Sequence, residues 1–111
     1  MNKVLLIDPS QFSTELALEA MQSVADGMGG YKETWSEMAL LWGKIEPISG
    51  TPSGQVRPFP ELTHRIYVRY REDISSDKRF RKGRRIFTLR TVYDPDESKR
   101  YLTCLAVEVG R

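Results

Sequence analysis

His64, Ile66, Val68 and Tyr70 alternate with Thr63, Arg65, Tyr67 and Arg69. This period-two pattern marks a strand with one apolar and one largely polar face. Residues 86–93 and 101–109 are similarly rich in β-branched and aromatic side chains. Asp94, Pro95, Asp96, Glu97 and Ser98 between them carry strong turn chemistry, because proline presets φ and aspartate bonds the local backbone. Short strands joined by such turns predict a small antiparallel barrel or sandwich.

Residues 16–45 read two ways. Leu16, Ala17, Ala20, Met21 and Val24 fit helical spacing, as do Trp35, Met38, Trp42 and Ile45. Against two helices stand Asp26-Gly27-Met28-Gly29-Gly30, a glycine-dense reversal suited to a hairpin, and the strand-forming Thr34, Trp35 and Trp42.

Pro47, Gly50, Pro52, Gly54, Pro58 and Pro60 remove donors and fix φ too often for a regular element, so residues 51–62 are expected to be an exposed loop. Loops of that length inside a compact domain are usually functional or disordered. Residues 1–13 form an arm with an apolar patch at Val4, Leu5, Leu6 and Ile7, a turn at Asp8-Pro9-Ser10, and Phe12. The remaining residues, 14–111, make one domain, as expected of a 111-residue chain.

Composition adds exclusions. With 40% hydrophobic and 29% charged residues the chain reads as an ordinary globular domain. No run approaches the ~18 apolar residues of a spanning helix, and the patch at 4–7 is too short for a secretory signal. One cysteine, Cys104, forms no internal disulfide, so assembly in the cytoplasm of the producing cell is expected. The net charge of +2 conceals a division. Residues 1–61 hold 4 basic and 8 acidic groups, and residues 62–111 hold 13 basic and 7 acidic. Such a split favours head-to-tail contacts between copies or one basic surface facing nucleic acid.

Little supports catalysis. His64, the lone histidine, sits in an alternating strand and reads as structural. Cys104 reads as a small buried hydrophobe. Asp94, Asp96 and Glu97 lack calcium-loop spacing, and the glycine-dense reversal lacks the lysine and hydroxyl of a phosphate loop. No enzyme, metal or cofactor is expected. Lys78, Arg79, Arg81, Lys82, Arg84 and Arg85, interrupted by Phe80 and Gly83, are the strongest local charge feature. Six cations on one hairpin are expected to be solvent exposed, either as a charged strand edge or as a contact for a phosphate backbone.

In order and spacing over residues 15–110, these pieces resemble the phage head-tail joining (head-closure or stopper) family of siphophages and gene transfer agents. The matching residues are Asp26 to Gly30, Thr34-Trp35, Trp42, Ile45-Glu46-Pro47 and Ser49-Gly50. They continue with Thr63 to Tyr70, Gly83 to Phe87, Asp94 to Glu97 and Glu108. The resemblance implies a mainly β domain, with residues 15–24 and 31–45 as strands. It implies a ring, usually of twelve copies, beneath the portal and its adaptor, and a location at the head-tail interface of a virion or phage-like particle. The other partners it implies are a tail terminator or tail tube and double-stranded DNA in the channel, with no membrane. Candidate DNA-facing or interface residues are then the six cations. Candidate channel residues are Thr51, Pro52, Ser53, Gly54, Gln55, Val56, Arg57, Pro58, Phe59 and Pro60. The extra prolines of that loop and the long arm depart from the family pattern. The alternative is a stand-alone nucleic-acid-binding barrel, stacking bases on Phe80, Tyr67 or Tyr70.

Overall fold

The computed structural model describes residues 7–48 and 61–109. Six strands are present among them: β1 (Thr14–Ala25), β2 (Tyr31–Pro47), β3 (His64–Arg69), β4 (Lys78–Lys82), β5 (Arg85–Tyr93) and β6 (Tyr101–Val109). All pairs are antiparallel, and the order β1-β2-β3-β6-β5-β4 closes into a barrel, which decides between barrel and sandwich. No helix among the described residues is long and apolar enough to cross a membrane.

Closure explains why residues 16–45 are strands. Leu16 and Leu18 point inward with no exposed surface, and Leu18 lies opposite Phe80 of β4. A bulge leaves Met38 unpaired, because Leu18 pairs with Ala39 and Glu19 with Glu37. Apolar residues on both faces of β1, plus that extra residue on β2, produce spacings that imitate a helix. Pairing with two neighbours each overrides the imitation.

The core joins Leu16, Leu18, Ile66, Val68, Phe80, Phe87, Leu89, Leu102, Cys104 and Ala106, with Ile74 capping from the β3–β4 connection. Burial pushes the Cys104 thiol up to about 12, so this cysteine is packing material rather than a nucleophile. Leu62 is also buried, which corrects the expectation that residues 51–62 are all exposed. Thr63 donates its N–H to Ala106, so the ladder begins just before β3. Residues 51–60 lie outside the described residues.

Of the arm, residues 7–13 fold back on the barrel. Asp8 caps a 3-10 turn at Pro9–Gln11, Phe12 meets Tyr101 edge-on at 5.8 Å, and Gln11 accepts a 2.7 Å bond from Lys44.

β2 passes very close to β3 at Gly43. A Cβ there would lie 2.7 Å from the Tyr67 carbonyl oxygen and 2.9 Å from a Val68 methyl. Gly43→Ala is expected to lower unfolding free energy by about 1–3 kcal/mol through overpacking, measured by urea denaturation.

Candidate functional site

β4 and β5 form the expected basic hairpin, turning at Gly83 with φ +62°. Its six cations do not form one patch. Glu19, buried on the outer side of β1, accepts 2.7 Å bonds from Arg79 Nε at one carboxylate oxygen and from Arg81 Nε at the other. Arg79 also lies 4.2 Å above the Trp35 ring, and Arg81 reaches Glu37 at 4.0 Å. Burial pushes the Glu19 carboxyl up, but the bonds from Arg81 and Arg79 outweigh it and leave the group below its ordinary range. The hydrogen bond to Glu19 raises Arg81 in turn.

Arg85 makes a two-pronged bond to Glu108, at 2.8 and 3.1 Å, while Lys78 pairs with Asp77 at 3.0 Å. Lys82 and Arg84 are exposed and have no ion-pair partner among the described residues. The expectation of six solvated cations is therefore corrected to two. The other four are spoken for by carboxylates, mostly distant in sequence.

His64 is structural in its surroundings. Its Nδ1 lies 2.8 Å from Thr63 Oγ1, its Nε2 lies 3.8 Å from Glu108, and its ring stands edge-on to Phe87 at 5.1 Å. Together with Arg85 these groups close one end of the barrel. Neither Glu19 nor Glu108 was identifiable as a partner from sequence, because the signal is a strand register rather than a motif.

The proposed stacking residues do not stand free either. Phe80 is fully buried, Tyr70 packs against the core, and the Tyr67 hydroxyl donates to Glu46 at 3.1 Å. Asp94 and Asp96 cap their own turn: Asp94 accepts from Lys99 N–H at 2.7 Å, and Asp96 from Ser98 N–H at 3.1 Å. The Ser98 hydroxyl and backbone bonds, with Arg100, lower the Asp96 carboxyl to about 2. Among the described residues no His, Cys, Asp or Glu cluster fits a metal ion.

Strand direction brings the β4–β5 turn, the β2–β3 connection and the start of β1 to one end of the barrel. The β1–β2, β3–β4 and β5–β6 connections lie at the other.

The model of a family described as phage head completion protein matches residues 7–109. The chain belongs to that family. A chain of the virion of a native gene transfer agent (GTA) particle is 32% identical, with a TM-score of 0.64 over 87% of this chain and 94% of that one. The solution structure of protein SF1141 from Shigella flexneri 2a, 18% identical, covers 95% of this chain and 99% of that one with a TM-score of 0.71, a likeness of fold. No curated protein matches the chain significantly. As a phage head completion protein it is a structural, non-enzymatic component of a virion or gene transfer agent particle at the head-tail junction.

For this head completion protein, Glu19→Gln is expected to cost about 1–3 kcal/mol at pH 7, since one arginine keeps a bond to a now neutral oxygen while the other faces an amide NH2 that cannot accept. The folded pKa of Glu19 lies below the unfolded value of about 4.3. Its contribution is thus complete above that pH and fades as pH falls through the folded pKa. Urea titrations should show the two proteins converging in stability below about pH 4.

Proposed function

We propose that copies of this chain form a ring, of twelve by family resemblance, beneath the portal and adaptor, closing the DNA-filled head and offering a surface to a tail terminator or tail tube. Lys82 and Arg84 face the channel DNA. Residues 51–60 line or obstruct the bore.

The observation that carries this reading is the coincidence at one barrel end. The two cations of the basic run that have no carboxylate partner among the described residues sit on the β4–β5 turn, at the end from which the β2–β3 connection leaves. Phosphate contact there neutralises charges that the fold does not use. The 32% identity to a chain of a gene transfer agent virion supports the setting. A stand-alone nucleic-acid-binding barrel finds no support in the buried Phe80.

Lys82→Gln with Arg84→Gln should leave unfolding free energy within about 0.5 kcal/mol, as expected for exposed unpaired positions. Assembled particles carrying both changes should lose packaged DNA at lower salt than unmodified particles; equal retention across a salt series would remove the DNA role. Replacing residues 51–60 with a brief glycine-serine link should likewise spare folding, because closing a shorter loop costs little entropy. Electron microscopy should then show filled heads that leak or lack tails, whereas normal tailed, DNA-retaining particles would make the loop a spacer.

A further inference from the structure

β1 and β2 run on past the barrel as a two-stranded ribbon. β4 covers the edge of β1 only from Ala17 to Ala20, and β3 covers β2 only from Gly43 onward. The described residues are accordingly elongated, at 60 × 34 × 24 Å. At the ribbon's tip Asp26 Oδ1 accepts from the N–H groups of Met28 and Gly30, at 2.8 and 3.1 Å, and Gly27 and Gly29 take φ of +80° and +86°. This turn holds Met28 in solvent at 88% exposure, with Tyr31 at 75% beside it. The ribbon is also acidic: residues 21–42 hold three acidic groups, Asp26, Glu33 and Glu37, and one basic, Lys32.

At the ribbon's foot, where β3 parts from β2, lies a hollow of about 450 Å³ lined by Pro9, Phe12, Leu41, Trp42, Arg69 and Arg71. Four of its lining residues are apolar and two are arginines. Asp73 holds Arg71 through bonds of 2.9 and 2.8 Å, whereas Arg69 has no carboxylate partner among the described residues.

We propose that the Met28 tip of one copy seats in this hollow on the next copy, with the tip's carboxylate toward Arg69. The inference rests on the ring reading and names its subunit contact. Charge selects the occupant. Residues 1–6 of the same chain would bring Lys3 toward two arginines, while the tip brings Asp26, whose Oδ2 has no hydrogen-bond partner among the described residues. Methionine suits such a hollow, because its unbranched thioether adapts to an irregular cavity. Reach also agrees: residues 21–25, past the edge that β4 covers, carry the tip about 17 Å beyond the barrel at ~3.3 Å each, about half the 34 Å breadth of a neighbour. The contact joins unlike surfaces, so it propagates from copy to copy, as the subunits of a ring require.

The test is a double variant, Met28→Cys with Arg71→Cys in the lining of the same hollow, which keeps Arg69, incorporated into particles and treated with oxidant or a short bis-maleimide. Cys104 is buried and does not compete. A denaturing gel should show a ladder of linked subunits for the double variant and monomer for each single one. Dimers from Met28→Cys alone would mean tip-to-tip contact and overturn the proposal. So would a double variant that yields monomer while electron microscopy of unmodified particles shows a ring, which leaves the ring reading intact. Absence of a ring in unmodified particles would remove both. Met28→Asp, a change at an exposed turn, should keep the monomer's circular dichroism and lower incorporation into particles at least tenfold; normal incorporation would overturn the contact.

Discussion

The barrel depends on a seam of four residue pairs, Ala17 to Ala20 of β1 against Arg81 to Lys78 of β4. Without it the sheet would end in two open edges, and long unpaired edges invite pairing with other chains. Both sides of the seam are secured. Inside, Leu18 meets Phe80, which faces Phe87 across β4–β5; truncating such a buried phenylalanine costs about 3–5 kcal/mol. Outside, Glu19 is gripped by Arg79 and Arg81. A buried carboxylate is tolerated only because both oxygens are satisfied by cations.

The same seam divides labour among the charges. Arg79 and Arg81 are committed to closure, and Arg85 to Glu108 at the barrel end that His64 also helps to close. The exposed pair on the β4–β5 turn makes no such ion pair among the described residues, and the ribbon is supported by the barrel at its foot but not covered by it.

Legibility in the sequence followed the physics of each element. β3 alternates cleanly because it has one face in the core, whereas β5 and β6 show through their β-branched and aromatic residues; the expected boundaries of all three lie close to those observed. β1 and β2 were ambiguous because Ala17 and Met21 on the outer face complete a helical spacing, and only the resemblance over residues 15–110 decided for strands. β4 was visible as a charge run, but its structural use was not: Glu19 lies 60 and 62 residues from its two arginines, and nothing local announces that register. The alternative reading offers Phe80 as a stacking platform for the same reason, since its neighbours' charges suggest a solvated hairpin, whereas Phe80 is fully buried. Leu62 was counted in the loop because four nearby prolines outweighed one leucine.

Native-state hydrogen exchange of the seam amides tests most directly whether β1–β4 closure holds the barrel together. If it does, the hydrogen-bonded amides of residues 17–20 and 78–81 exchange only through global unfolding, with the same opening free energy and denaturant dependence as those of β3 and β6. Seam amides that exchange through a lower-energy opening, while β3, β5 and β6 stay protected, would show a stable open sheet and contradict that dependence.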